Sequence, residues 1–370
     1  MKKEDIFNEN LKKAKDGNLY NYDNWLNENG IQPDRLNRDR FDKFFWSNAE
    51  LMINNEREIE IIAKYIGSFL RDKLKSHHIP IIGVKGSGKT LIMNVIQKFI
   101  SSSGIGCNYQ RLYAPKLESN ILKPFSMTEK KHDVLFIDQC NEAKEIIKII
   151  KKIVESNGNG VYITFWSPES WNEYKLEIEE LLPISQELYL LPIKKGEISI
   201  FIERIFRAVA MDGRGEKFYP DFVKSDELNN SKFIERIYNC TKGVPLLIIK
   251  LIVGYFEQTF LKKKNTLYMD VLQSTLNNLG LCSLSNYIDG LSTQHLRILE
   301  TILLENSKQG ARPIELVEKH NLDKSTISYH LNVLKDKGIL KKEKIGKSSH
   351  YKIKKNLIPL IQLKIMGVFK

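Results

Sequence analysis

The chain has 370 residues, which is enough for two or three domains that each bury a core. Its composition, 42% hydrophobic and 28% charged, is ordinary for a globular protein, and no apolar stretch approaches the roughly 20 residues of a membrane span. The charged start lacks the apolar core of a signal peptide, and four scattered cysteines without a CxxC pair argue against a disulfide scaffold. We therefore expect a cytoplasmic protein with no membrane span.

The net charge of +12 is concentrated at one end of the chain. Residues 291–370 contain 16 Lys and Arg against 7 Asp and Glu. Such a local basic excess is typical of a surface that meets nucleic acid or an anionic membrane, although a merely solvated basic face gives the same count. A motif in this region has to decide between these interpretations.

The first 53 residues are polar but contain more aromatic side chains than a disordered segment usually does. We predict short helices there, forming an arm that packs onto the next domain. A longer helix is expected over residues 54–75, because apolar side chains recur at intervals of three and four. These are Ile59, Ile62, Ile66 and Leu70.

The segment 83–90 reads GVKGSGKT and matches the phosphate-binding (Walker A) spacing GxxxxGK[ST]. It follows the apolar run 79–82 and precedes a run with helical spacing, a context that a chance glycine turn would lack. Glycines let successive N–H groups converge on an anion, and the start of the following helix adds to that field. The candidate nucleotide-binding residues are Gly83, Val84, Lys85, Gly86, Ser87, Gly88, Lys89, Thr90 and Leu91. We expect ATP or ADP here, with Lys89 on the β- and γ-phosphates and Thr90 on Mg²⁺.

Four further strands are predicted, over residues 107–113, 133–138, 161–165 and 188–193. The second of these is an apolar run that ends in Asp138, about 50 residues after the phosphate loop, which makes Asp138 the second candidate ligand of Mg²⁺. Strands that alternate with helices form a parallel sheet covered on both faces. The predicted fold is therefore α/β, with a P-loop NTPase core.

The remainder of the chain reads as helices and a final hairpin. Helices are predicted over 197–210, 226–239 and 245–260, and His77 and His78 are read as the end of the helix before the first strand. The predicted domains are an N-terminal helical arm (1–53), the P-loop core (54–195), a helical lid (196–288), a winged helix-turn-helix domain (289–356) and a C-terminal tail or helix (357–370).

Helices over 292–305, 313–320 and 325–337, followed by strands over 339–344 and 350–354, predict the winged helix. Its third helix would enter the major groove of double-stranded DNA, and the wing would contact phosphates. The candidate DNA-binding residues are Lys324, Ser325, Thr326, Ser328, Tyr329, His330, Asn332, Lys342, Lys344 and Lys347, with Lys341 as a further wing lysine. A winged helix used only for protein contacts is the alternative.

This order of elements resembles AAA+ ATPases of the origin-recognition initiator type and the related archaeal and STAND-class ATPases. The resemblance covers about residues 50–355 and rests on NEREIEII, GVKGSGKT, VLFIDQ, ITFWS and TKGVPLLII. It implies an ATPase with a role in DNA replication and the same assignments of Lys89, Thr90 and Asp138. It also places Ser167 near the polar sensor-1 position, with Thr164 as the second candidate.

The chain departs from the family at three points. Gln139 stands where a catalytic Glu usually follows the magnesium Asp, and Leu246 stands where an initiator has Arg. No arginine lies between Trp166 and Leu191, where an arginine finger would be expected. These departures favour a slow nucleotide-dependent switch over a motor. A STAND-type signalling or defence switch, with the winged helix making protein contacts, is the other interpretation, and self-association is left open.

Overall fold

The computed structural model of the chain describes residues 21–36, 48, 51–53, 55–118, 132–143, 145–210, 231–263, 269–281, 288–305, 310–346 and 348–367. The strands are β1 (His77–Gly83), β2 (Tyr109–Tyr113), β3 (Val134–Asp138), β4 (Val161–Trp166), β5 (Leu188–Leu190), β6 (Leu340–Ile345) and β7 (Ser348–Ile353). Within these ranges no helix is both long and apolar enough to cross a membrane.

Helices occupy much of the rest of the described chain. They are α1 (Asn21–Glu28), α2 (Pro33–Leu36), α3 (Glu56–Arg71), α4 (Lys89–Ser102), α5 (Ala114–Glu118), α6 (Ile146–Asn157), α7 (Pro168–Leu181), α8 (Ile198–Val209), α9 (Ser231–Thr241), α10 (Pro245–Leu261), α11 (Met269–Asn278), α12 (Thr293–Leu304), α13 (Pro313–His320), α14 (Lys324–Asp336) and α15 (Ile358–Ile365). Short 3₁₀ turns cover Cys140–Glu142 and Lys195–Glu197.

The first five strands form one parallel sheet in the order β2-β3-β4-β1-β5. The phosphate loop follows β1, an interior strand, and the central strand β4 separates β1 from β3. Ile82 pairs with Trp166 and Thr164 pairs with Ile137, so the strands end at nearly the same level. Gly83, Asp138 and Ser167 therefore lie at one edge of the sheet, the carboxyl edge where ligands bind in such folds.

Alternate side chains of the sheet enter two separate cores. Ile137, Tyr162 and Trp166 face a cluster completed by α6 and α7, whereas Phe136, Ile163 and Phe165 face α3 and α4. Because both faces are covered, the central strands are apolar at almost every position. The α/β P-loop NTPase fold predicted from the sequence is confirmed.

His77 and His78 were expected at a helix end, and that prediction was wrong. Both are buried residues of β1. His78 Nε2 lies 2.9 Å from Thr164 Oγ1, and His78 Nδ1 lies 3.2 Å from the carbonyl oxygen of Leu182. Two partners inside the core let an imidazole occupy a central strand, and burial lowers the pKa of His78 to about 4.

The chain divides into two compact units. The sheet unit comprises residues 52–192, 244–246 and 283–370, and the helical unit comprises residues 1–51, 193–243 and 247–282. The winged helix thus shares a unit with the P-loop core, while residues 21–36 of the N-terminal arm belong with the lid helices. In the helical unit Ile31 pairs with Ala210, and Arg35 Nη1 donates to the carbonyl of Ala208 at 2.6 Å.

The C-terminal elements form the predicted winged helix-turn-helix. α13 spans the predicted residues, α14 packs on α13 and on β6, and β6 pairs with β7 in an antiparallel hairpin. Gly338 follows α14 with a φ of 75°, a conformation that suits glycine and helps to end the helix. His350, the first residue of the predicted return strand, is a buried residue of β7.

Candidate functional site

The phosphate loop joins β1 to α4 through a backbone that requires glycine. Gly86 and Gly88 have φ angles of 83° and 101°, in the left-handed region. A Cβ at Gly86 would also lie 2.3 Å from the Cβ of Leu246, whose N–H donates to the Gly86 carbonyl at 3.2 Å. Leu246, the residue found where the resemblance expects Arg, is therefore beside the loop.

Helix α4 begins without a side-chain cap. Its N-cap residue is Gly88, so the first-turn N–H groups have no capping side chain. The hydroxyl of Ser87 is buried and has no hydrogen-bond partner among the described residues. A buried orphan hydroxyl next to an uncapped helix start is the arrangement that a phosphate group would complete.

Lys89 folds back over the loop. Its ammonium group donates to the carbonyl oxygens of Gly83 and Val84, the latter at 3.0 Å. Burial lowers the pKa of Lys89 to about 8, while the nearby carboxylates of Glu169 and Asp138 act in the opposite direction. The side chain is thus a partly desolvated cation held within the loop, as expected of a phosphate-binding lysine.

Asp138 ends β3 and is almost fully buried. One carboxylate oxygen, Oδ1, accepts the N–H of Gln139 at 2.9 Å, and Oδ2 lies 2.6 Å from Nη2 of Arg111 on β2. Within the described ranges no cluster of three or more His, Cys, Asp and Glu could hold a metal. Mg²⁺ bound mainly by phosphates and water needs only one or two protein ligands, so the Asp138 carboxylate suits that ion. Thr90, in the first turn of α4, stays a prediction as the second ligand.

Gln139 occupies a strained position immediately after Asp138. Its φ is 56°, a left-handed conformation that costs a residue with a Cβ about 1–2 kcal/mol. Its side-chain oxygen Oε1 is buried and has no hydrogen-bond partner among the described residues. An orphan amide oxygen beside Asp138, the candidate magnesium ligand, is able to accept a hydrogen bond from a water molecule.

The two sensor-1 candidates have different surroundings. Ser167 follows β4 at the carboxyl edge, and its hydroxyl donates to Ser170 Oγ at 3.0 Å. Thr164 is fully buried, accepts the Trp166 indole N–H at 2.7 Å and also contacts His78. Because these core contacts occupy the Thr164 hydroxyl, Ser167 is the better placed of the two candidates, and its role stays a prediction.

Two buried polar residues at this site escaped the sequence analysis. Glu169 lies in the first turn of α7 and Gln362 lies on α15, and each is 3% exposed. Gln362 joins Glu169 to the backbone N–H of Lys85 in the phosphate loop. No spacing in the sequence could reveal this link, because Lys85 and Gln362 are 277 residues apart.

The candidate DNA-reading helix α14 presents a mixed surface. Lys324, Tyr329 and Asn332 are exposed, with Tyr329 at 65%. Ser325 and Thr326 instead donate to the carboxylate of Asp323, which caps the helix and whose pKa these bonds hold well below its ordinary value. These two hydroxyls are therefore engaged in capping.

Two further candidates on α14 are less exposed. Ser328 and His330 are half-buried. His330 Nδ1 lies 3.2 Å from Nε2 of His295 on α12, so this ring is turned toward the interior of the winged helix. Among the residues predicted to contact DNA, the exposed ones of α14 are the better placed.

The hairpin of β6 and β7 carries lysines with different partners. Lys341 and Lys352 both pair with Glu343, at 2.7 and 2.6 Å. Lys342 and Lys344 are exposed, and the Lys342 ammonium lies 5.6 Å from the centre of the Tyr351 ring. Lys347 lies outside the described residues, so its role stays a prediction.

Comparison with known proteins agrees with the C-terminal assignment. A family model described as "bacterial regulatory protein, arsR family" matches residues 303–342, from the end of α12 to β6. No curated protein matches the chain.

The chain is also similar to solved structures. One is the Aeropyrum pernix ORC1 protein in complex with DNA, at 13% identity and a TM-score of 0.49, covering 86% of this chain and 95% of that chain. Another is the Thermotoga maritima RuvB Holliday junction branch migration motor, at 15% identity and a TM-score of 0.45, covering 84% and 94%. At such values the fold assignment rests on strand order, phosphate loop and hairpin: the chain is a P-loop NTPase fold joined to a winged helix-turn-helix domain.

Proposed function

We propose that the chain binds ATP or ADP with Mg²⁺ at the phosphate loop and double-stranded DNA through the winged helix, and that the bound nucleotide acts as a switch. One observation carries the nucleotide proposal. At the carboxyl edge of the sheet, the uncapped start of α4, the orphan hydroxyl of Ser87 and the cation of Lys89 lie in one loop. Their chemistry suits a phosphate chain.

The residues have separate roles in this proposal. The loop amides and Lys89 hold the phosphates, and Thr90 and Asp138 hold Mg²⁺, which when bound neutralises phosphate charge. Ser167 would contact the terminal phosphate from the end of β4. Gln139 orients water through its amide oxygen but takes no proton at neutral pH, so hydrolysis is slow.

The DNA proposal rests on charge and exposure. The C-terminal 80 residues hold most of the chain's excess positive charge, and α14 and the wing present Lys324, Lys342 and Lys344 to solvent. Helices α12 and α15 pack on α7 of the core, and neither of them is the helix that would read DNA.

That same attachment favours the second candidate function. A winged helix that packs on the P-loop core already makes protein contacts, as a STAND-type switch would require. Such a protein would signal through a change in the arrangement of its domains, and it would bind duplex DNA no better than other basic proteins do. Sequence-independent electrostatic binding must therefore be separated from a defined interface.

The test is a pair of titrations on the full chain. Calorimetry with ADP and with a non-hydrolysable ATP analogue, in the presence of Mg²⁺, should show binding by the wild type and a loss of at least about 100-fold in Lys89→Ala, because a buried charge–phosphate interaction is removed. Anisotropy with a fluorescent duplex should then show DNA binding that depends on the nucleotide. Nucleotide binding without duplex binding would favour the signalling switch.

A further inference from the structure

The last helix of the chain reaches the phosphate loop. α15 packs on α7 of the core and on α12 of the winged helix, and five successive residues, from Pro359 to Leu363, are buried. Four of these are apolar, as a docked helix requires. The fifth is Gln362, whose amide is buried among them and must find partners there.

Gln362 finds those partners in the nucleotide site. Its Oε1 accepts the backbone N–H of Lys85 at 2.6 Å, and its Nε2 donates to both carboxylate oxygens of Glu169, at 2.8 and 3.1 Å. The orientation of the amide follows from its partners, because a backbone N–H only donates and a carboxylate only accepts. Both polar atoms of the Gln362 amide are thus hydrogen-bonded.

The bond to Lys85 uses a donor of the phosphate-binding loop. The amide oxygen of Gln362 and a phosphate oxygen would each accept a hydrogen bond from that N–H, and one hydrogen makes a good bond to only one acceptor. The Glu169 carboxylate matters too, because its charge is the strongest of those that stabilise the protonated form of Lys89. Glu169 and a phosphate are therefore alternative anionic partners of Lys89.

We propose that Gln362 and bound nucleotide compete for the phosphate loop, so that nucleotide binding displaces Gln362 from Lys85 and loosens α15. This inference rests on the proposed function in one respect, since it requires the loop to be a nucleotide site. The consequence reaches the DNA-binding domain directly. α15 contacts both α7 and α12, so the helix that senses the loop also fastens the winged helix to the core.

The first test replaces Gln362 in the full chain. Gln362→Met keeps the length and apolar volume of the side chain but can bond neither Lys85 nor Glu169. It should bind the Mg²⁺ complexes of ADP and the ATP analogue about five- to tenfold more tightly than the wild type, as expected for the loss of one competing hydrogen bond. Lys364→Ala is the matched control, because it lies on the same helix and is only half-buried. Its affinity should not change.

The second test uses the unaltered protein, because Gln362→Met leaves the buried Glu169 without its donors and could destabilise the fold. Nucleotide should speed hydrogen exchange in residues 358–365 of the wild type, by the reciprocity of linked equilibria. Lys89→Ala should show no such effect. Slower exchange with nucleotide would mean that the nucleotide strengthens the docking of α15, and it would overturn the inference.

The two proposals can fail separately. If the wild type binds nucleotide through Lys89, but Gln362→Met binds it equally or more weakly, the inference is wrong and the proposed function stands. If neither protein binds nucleotide, the proposed function is wrong and the inference falls with it. Nucleotide binding by Gln362→Met but not by the wild type would support both the proposed function and the inference, because Gln362 would then prevent binding in the wild type.

Discussion

Arg111 and Asp138 form an ion pair at the carboxyl edge of the sheet, with 2.6 Å between Nη2 and Oδ2. The two residues lie on neighbouring strands, where Tyr113 of β2 pairs with Asp138 of β3. The arginine is 41% exposed, whereas the aspartate is 4% exposed. One oxygen of the candidate magnesium ligand is thus held by a cation that the ion has to replace or accommodate.

Arg111→Ala should lower the Mg²⁺ concentration needed for tight nucleotide binding. The substitution frees Oδ2 of Asp138, and a half-exposed pair is worth up to about 1 kcal/mol, so the half-saturating Mg²⁺ concentration should fall up to about fivefold. Calorimetric titrations of the ATP analogue at several Mg²⁺ concentrations measure this. Arg111→Lys keeps a cation and should resemble the wild type. A raised Mg²⁺ requirement in Arg111→Ala would mean that Arg111 contacts the nucleotide instead.

The pKa of Lys89 makes nucleotide binding dependent on pH. The pKa is lowered to about 8 by burial, and phosphate anions favour the protonated amine, so binding raises that pKa. The contribution of Lys89 to nucleotide affinity should therefore be constant below about pH 7. It should fall as pH rises above 8, by up to about tenfold per pH unit.

Lys89→Arg provides the control for this effect, because a guanidinium stays charged throughout the range. Its affinity for the ATP analogue should be nearly constant between pH 8 and 9.5, as measured by calorimetry, even if it is weaker at every pH. Parallel declines in the wild type and in Lys89→Arg would show that another group is responsible.

Local signals in the sequence predict most of the fold. Two of them predict the core: the phosphate loop between a strand and a helix, and the apolar run that ends in Asp138. Each is one continuous stretch of sequence, so its pattern can be recognised without knowing how the chain folds. The helices of the winged helix also carry local signals at their starts. α13 begins at Pro313, and α14 is capped by Asp323.

The features that escaped prediction depend on residues brought together by folding. His78 is in a strand because Thr164 and the carbonyl of Leu182 satisfy its ring. Glu169 and Gln362 bond across 193 residues of sequence. Periodicity describes one element at a time, so it cannot indicate that a buried polar side chain has a partner on another element.

The wing lysines should contact DNA phosphates without regard to sequence. Lys342→Ala combined with Lys344→Ala should weaken duplex binding about equally for all sequences. The slope of log K against log salt should shrink by roughly 0.9 per lost contact. Anisotropy titrations at several salt concentrations test this, with Lys151→Ala, an exposed lysine of α6, as the control for loss of charge alone. Equal salt slopes in all proteins would favour the protein-contact role of the winged helix.

Exposed polar residues of α14 should read bases. Asn332→Ala or Tyr329→Phe should change the preference among duplex sequences, at about 1–3 kcal/mol for a good base contact. Selection from a random duplex library by the wild type and by each variant gives the comparison. Ser325→Ala serves as the control, because its hydroxyl is bonded to Asp323 and should carry no base readout. Identical selected sequences for all proteins would count against base recognition by α14.

Gln139→Glu should accelerate ATP hydrolysis. An amide at this position orients water but accepts no proton, whereas a carboxylate next to Asp138 would have a raised pKa and could act as a general base. The backbone strain at φ 56° is the same for both residues, so the substitution changes chemistry more than structure. General-base contributions of about 10²–10⁴-fold set the upper range of the expected rate increase.

Single-turnover hydrolysis of radiolabelled ATP measures the effect of Gln139→Glu. Glu142→Gln is the control, since Glu142 is exposed and borders a polar cavity lined also by Arg312 and His350, so its loss should leave the rate unchanged. A wild type that already turns over at about 1 s⁻¹ or faster would contradict the slow switch, because that is an ordinary enzyme rate. Glu169 would then be the first residue to test as the base, since it is a buried carboxylate whose charge acts on Lys89. In that case Glu169→Gln would abolish turnover while nucleotide binding persisted, and the Gln362 amide that now bonds Glu169 would have to move before each hydrolysis event.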